Sequence, residues 1–262
     1  MKGEPINADR VGQRVAQHGL DWCYSDETGS TNADALNHYS EHRREVIAFS
    51  EAQSAGRGRR GRQWHSPYAS NLYCTIGLLK TLPANRQGLM SIATGIALCR
   101  ALQRATEAKV ELKWPNDVLH DGQKLGGILI ESRPHDAETF FFAIGFGLNI
   151  FMRAQELANI AQPATSLERV AARRLDRSEL LTATIEAVVQ SIRALDPVDT
   201  QSLIAEFANY DAFHGQPVEV ISVDRKIRGI NRGIAVDGQL QLETEAGIEL
   251  HSAAEISLRP GA

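Results

Sequence analysis

Apolar positions along the chain follow two spacings, and the changes between them lay out the elements. Ile6, Val11 and Val15, with Leu20, share one side of a helical period, predicting a short helix over about residues 6–18. A short strand is expected near Trp22–Ser25. Ser30-Thr31 then precedes NADALNHY as an N-cap precedes a helix. EVIAFSE (45–51) and NLYCTIGLL (71–79) are short, apolar and β-rich, hence strands. The Ala- and Leu-rich stretch over about 85–108 has helical spacing and predicts the longest helix. VELKWP reads as a short strand halted by Pro115. NDVLHDGQKLGGILIES reads as a hairpin turning at His120-Asp121-Gly122-Gln123. FFFAIGFGLNI (140–150) is a continuous apolar run, as in a strand buried on both faces.

Beyond about residue 176 the pattern changes. SELLTATIEAVVQSIRAL predicts an amphipathic helix ended ahead of Pro197, and a second helix covers about 199–210. From Pro217 on, VEVISV, KIRGINRGIAV, QLQLET and GIELHSA are short β patterns, with a hairpin turn at Val236-Asp237-Gly238-Gln239. Mixed elements followed by an all-β tail argue an α+β chain: a mixed β-sheet domain with flanking helices (1–213) and a small C-terminal β barrel (214–262).

Composition narrows the classes. A 43% hydrophobic, 23% charged chain of 262 residues is ordinary for a globular protein. The net charge of -4 argues against a general polyanion binder, so any basic site must be local. No apolar stretch is long enough to span a membrane, and MKGEPINADRVGQRV carries no apolar signal segment. Cys23, Cys74 and Cys99 are odd in number and widely spaced. They suggest neither a disulfide framework nor a metal site, and fit a reducing cytoplasm.

The local basic site is conspicuous. Gly56-Arg57-Gly58-Arg59-Arg60-Gly61-Arg62 lies in a long loop over about 53–68. It contains G-x-G-x-x-G, but Gln63-Trp64-His65-Ser66-Pro67 is no helix start. No acidic residue occurs between Glu51 and Glu107, so a dinucleotide fingerprint is excluded. Arg62-Gln63 stands where a P-loop needs Lys and Ser/Thr. What remains is a flexible cationic loop: its glycines allow close backbone approach, and its arginines offer planar forks to phosphate or carboxylate. A solvated basic loop or an RNA-binding patch stays open at this point. Four crowded like charges favour an anionic ligand.

Four further segments carry candidate chemistry. Ser30-Thr31-Asn32 either caps a helix or lines a small polar ligand. In Lys113-Trp114-Pro115-Asn116-Asp117, Asn116-Asp117 is either a turn or a polar pair at a strand end, where Asp117 could hold Mg²⁺ or orient an amine. Lys124 stands at the start of an apolar strand beside Gly126 and Gly127, as a surface charge or as a point charge on a carboxylate or phosphate. Gly145-Phe146-Gly147-Leu148-Asn149 ends another apolar strand with an amide that must find partners.

STN, EAQSAGRGRRGRQWHSP, KWPNDV…KLGGILIES and IGFGLNI, in that order, closely resemble the biotin protein ligases over roughly residues 25–152. The β tail resembles that family's SH3-like C-terminal domain. The resemblance implies a class II synthetase-like catalytic fold and a two-step reaction. Biotin and MgATP give biotinyl-5′-AMP and pyrophosphate, and biotin then passes to a specific lysine of a biotin carboxyl carrier protein. It implies that Ser30, Thr31, Asn32, Gln53, Arg57, Arg59, Arg62, Lys124, Gly126 and Gly127 hold biotin. Arg60, Arg62, Trp64, Asn116, Lys124 and Asn149 would serve ATP or the adenylate. Lys124, Arg59 and Asp117 would carry the chemistry, Asp117 as amine-orienting group or metal ligand. About 25 residues precede the matching stretch, too few for the DNA-binding domain of some relatives. The expectation is a monofunctional cytoplasmic ligase that binds neither DNA nor membrane, with a homodimer left open at family level. Activation of lipoate or another acid, and nucleic-acid binding through the arginine loop, are the alternatives.

Overall fold

Helix α1 (Ala8–Ala16) opens the chain, capped by the Asn7 side chain and burying Val11 and Val15. It leads to β1 (Asp21–Thr28), α2 (Thr31–His42), β2 (Val46–Gln53), the arginine loop, β3 (Leu72–Thr81) and the long α3 (Gly88–Thr106). Then come β4 (Glu111–Lys113), β5 (Asp117–His120), β6 (Gln123–Pro134) and β7 (Thr139–Leu148). The short helices α4 (Ala154–Ala158) and α5 (Leu167–Val170) precede α6 (Arg177–Ala194) and α7 (Gln201–Tyr210). The tail holds β8 (Pro217–Ile221), β9 (Lys226–Ile234), β10 (Leu240–Thr244), β11 (Gly247–His251) and β12 (Ser257–Pro260). This computed structural model describes residues 3–160, 162–172, 174–221 and 226–253, and 257–260 for the backbone alone. The last two residues of the expected VEVISV strand lie outside these.

The first seven strands form one sheet in the order β1-β2-β3-β7-β6-β5-β4, with β1 parallel to β2 and the remaining pairs antiparallel. Both faces are covered. Ile47, Phe49, Ile76, Phe142 and Ile144 point into the main core with α3 and α6. Their alternates Val46, Ala48, Phe141 and Ala143 pack against Ala35, Leu36 and Tyr39 of α2. Two covered faces explain why FFFAIGFGL is apolar throughout instead of alternating. The β5–β6 hairpin turns as its sequence predicts, with Asp121 and Gly122 both at positive φ.

The tail folds as a five-stranded antiparallel sheet in the order β11-β10-β9-β8-β12. Its Val218, Val220, Ile234, Leu240 and Leu242 join the main core with Phe207 of α7. Polar ties accompany this contact: Ala212 N donates to Leu112 O (2.9 Å) and Asn231 Nδ2 to Asp211 Oδ2 (2.7 Å). Trp114 of the KWPND segment is buried here, its Nε1 donating to Gly238 O at 3.0 Å.

A buried ion pair ties the start of the chain to the sheet. Arg177 Nη2 lies 2.7 Å from Glu51 Oε2, with side chains 3% and 0% exposed. Glu51 Oε1 accepts from Ile6 N, while Arg177 donates to Glu4 O and Asn71 O. Among the described residues, no helix is long and apolar enough to cross a membrane.

Candidate active site

The N-terminus of α2, the end of β2, the arginine loop and the ends of β5, β6 and β7 surround a cavity of about 760 Å³. At one end lies an uncharged polar pocket. Ser30 occupies the N-cap position of α2, yet its side chain makes no capping bond. Its hydroxyl therefore stays available to the cavity. Thr31 donates to Gln53 Oε1 through backbone N (3.0 Å) and Oγ1 (3.3 Å), and Gln53 Nε2 donates to Ser66 Oγ (3.0 Å). Asn32 Nδ2 reaches Leu129 O (3.2 Å) and Glu131 Oε2 (2.8 Å), and its Oδ1 accepts from Thr75 Oγ1 (2.7 Å). The fit needs Gly145, because any side chain there would collide with the Asn32 amide.

The arginine loop is a small hairpin. Trp64 N donates to Gly56 O (2.9 Å) and Gly58 N to Arg62 O (2.7 Å), closing a stem around a bridge between Arg57 and Gln63. A 3-10 turn over Arg59–Gly61 forms the tip, with Arg60 at φ 60. Arg57 makes a bidentate pair with Glu131, Nη1–Oε1 3.0 Å and Nη2–Oε2 2.7 Å. Arg59 donates to Asn116 Oδ1 at 3.2 Å and to Ala253 O, in the turn that follows β11. Burial lowers the Arg59 guanidinium from its ordinary value, and Asp117 opposes that shift.

At the other end Asp117 stands between two ammonium groups, Lys124 Nζ at 2.6 Å and Lys113 Nζ at 3.0 Å. Burial acts to raise its carboxyl, but Lys124 and Lys113 outweigh it and hold Asp117 below the usual carboxylate range. Lys124 is itself lowered, first by burial and also by Lys113 and Arg62, against the pull of Asp117. Its backbone is fixed between the 163–165 segment and β5, with N donating to Pro163 O and O accepting from Thr165 N. The Trp64 ring lies 5.4 Å from Lys124 Nζ and covers Gly147, where any side chain would strike the indole. Buried Asn149 joins this end, its Nδ2 on Thr165 O at 3.1 Å.

Ser30, Thr31, Asn32, Gln53, Arg57, Arg59, Arg62, Trp64, Asn116, Asp117, Lys124, Gly127 and Asn149 therefore line one cavity. Gly126 and Arg60 are not on its wall. Gly126 faces Leu148 because the β5–β6 ladder shifts register between Val118 and Leu119. That shift breaks the plain alternation that pairs Gly126 with Lys124. Arg60 sits at the loop tip in a left-handed turn. Sequence alone does not assign several neighbouring features. Off the cavity wall, Glu131 and Lys113 complete the charge pairs; on it, Gly145 and Gly147 open the floor, and Glu156 and Asn159 come from α4 and its end. Glycine at strand ends was the one local signal for the floor. Glu131 carried none, lying 74 residues from Arg57.

Cations and neutral polar groups around one open cavity suit an anionic ligand seated beside a neutral polar one. Residues 23–149 match the biotin/lipoate A/B protein ligase family, and residues 213–259 the biotin protein ligase C-terminal domain. The chain is 35% identical over 231 residues to the bifunctional ligase/repressor BirA of Escherichia coli, covering 88% of this chain and 71% of that one. It is 30% identical over 266 residues to the biotin–[acetyl-CoA-carboxylase] ligase of Mycobacterium tuberculosis, covering 96% and 95%. The Aquifex aeolicus biotin protein ligase, solved with biotin and ATP, shares the fold at TM-score 0.74 and 24% identity, over 92% and 99%. The chain belongs to the biotin protein ligase family. It is an enzyme that ligates biotin to protein.

Proposed function

We propose that the chain activates biotin with ATP as biotinyl-5′-AMP and then transfers biotin to a lysine of a carrier-protein domain. The observation that carries this reading is one cavity joining the neutral Ser30–Asn32/Gln53 pocket to Lys124 and the loop arginines. The pocket suits the uncharged ring system of the vitamin, and the cationic end suits its carboxylate beside the nucleotide phosphates. In the first step a biotin carboxylate oxygen attacks the α-phosphorus, an O–P bond forms, and the bond to pyrophosphate breaks. Two anions must meet, so preorganised charge is the main requirement. Lys124 bridges the carboxylate and the α-phosphate, Arg59 and Arg62 neutralise the phosphates, and Trp64 and Asn149 border the nucleotide. In the second step a lysine amine attacks the acyl carbon, AMP leaves, and the amine loses a proton. Asp117, kept ionised, faces the cavity where it can orient that amine.

Asp117 fits a metal poorly, because both its oxygens are held by ammonium groups. Among the described residues no group of three or more His, Cys, Asp or Glu could hold an ion. Magnesium is therefore assigned to the nucleotide substrate, on its phosphates. The match of residues 213–259 supports a division near 213/214. Three free cysteines support a cytoplasmic setting.

Biotin-dependent exchange of labelled pyrophosphate into ATP tests the reading. Lys124→Ala should slow exchange by ~10²–10³ while the fold survives. Unchanged exchange in that variant would remove the role of Lys124. Exchange driven by lipoate and not by biotin would change the substrate.

A further inference from the structure

We infer that Glu131 is a positioning residue: through one carboxylate it pins the stem of the arginine loop to β6 and fixes the amide of Asn32 in the vitamin pocket. The inference rests on the ligase reading for the identity of the vitamin. It goes beyond that reading, because Glu131 touches neither reacting group.

Glu131 accepts both terminal nitrogens of Arg57 and, on Oε2, the Nδ2 of Asn32. Arg57 belongs to the paired stem of the loop, not to its tip. Its bidentate bond therefore anchors the base of the hairpin, while Arg59 reaches on toward Asn116. Asn32 is buried, and its amide has one orientation that satisfies every neighbour. Nδ2 must face Glu131 and Leu129 O, and Oδ1 must face Thr75. A flipped amide would set oxygen against carboxylate. The same carboxylate thus ties the pocket and the loop base together, while the tip is held separately through Arg59 on Asn116 and Ala253.

A neutral amide cannot replace this group. Glu131→Gln offers one acceptor oxygen where three donor nitrogens converge, and its own NH₂ opposes one of them. The exchanged pair Glu131→Arg/Arg57→Glu restores the ion pair across the stem but turns a donor toward Asn32. The two roles therefore separate. In the empty protein, Glu131→Gln should speed tryptic cleavage after Arg59, Arg60 and Arg62 about tenfold, and the exchanged pair should bring it back toward the original rate. In pyrophosphate exchange Glu131→Gln should raise the KM for biotin about tenfold or more, with kcat and the KM for ATP within about twofold.

Unchanged cleavage and an unchanged KM for biotin in Glu131→Gln would overturn the inference. So would a loss of kcat that tracks a lower melting temperature with no change in KM. Absence of biotin-dependent exchange in the unmodified protein would instead sink the ligase reading, and cleavage of the empty protein would still decide whether Glu131 pins the loop.

Discussion

Asp117 and its two lysines show how burial and pairing set charge in this site. Asp117 is held down by Lys124 and Lys113. The stability it contributes is present above the unfolded carboxylate value of about 3.9 and is lost only as pH falls through its lower folded value. Lys124 is lowered too, but by burial, which outweighs the pull of Asp117, so it loses its proton at a lower pH than an ordinary lysine. The alkaline limb of kcat/KM for pyrophosphate exchange should thus fall below the ordinary lysine value of about 10.4. In Lys124→Arg that limb should vanish, since guanidinium stays charged. A limb at or above that value, or one that persists in the arginine variant, would show that Lys124 does not set it. The roles of these residues were only half legible. The order of the four motifs points to Lys124, Arg59 and Asp117, and all three meet. Lys113 was visible in KWPND, but nothing local says that its ammonium turns back on Asp117 across the β4–β5 turn.

Among the elements, the longer strands and helices follow apolar spacing, while the short α4 and α5 have no counterpart in the sequence reading. The hairpin at Asp121-Gly122, the continuous strand β7 and the long α3 all lie where periodicity predicts them. What periodicity could not supply is parity across an irregular ladder. One register shift beside Lys124 moved Gly126 to the core side and left Gly127 on the cavity wall. Strand β7 adds a requirement that its hydrophobicity hides. Gly145 and Gly147 are absent side chains, the first making room for Asn32 and the second for Trp64. Gly147→Ala should push the indole off the floor. The expected result is weaker biotin and ATP binding by about tenfold or more in calorimetry, with a melting temperature shifted by only a few degrees. Undiminished binding in that variant would show that the Trp64 position is not needed.

Across the whole molecule, distant segments are joined by a few buried polar ties that no local pattern marks. The Glu51–Arg177 pair connects the N-terminal segment, β2, the residue before β3 and the start of α6. Removing one partner leaves the other buried and uncompensated. Arg177→Met should therefore lower unfolding free energy by about 3–5 kcal/mol in urea titration, with little change in KM for the correctly folded fraction. A loss below about 1 kcal/mol would mean that the cluster relaxes or admits water. The C-terminal sheet is tied in the same manner through Trp114 and Asn231, and the Ala253 carbonyl in the turn after β11 holds Arg59 at the cavity. The cavity's own carboxylates have one more effect. With Arg57 already answered by Glu131, and Lys113 and Lys124 by Asp117, the empty enzyme shows passing polyanions less bare charge than its sequence suggests. A stray nucleic-acid strand must compete with these built-in counter-ions, whereas a small substrate seated between them collects the whole array at once.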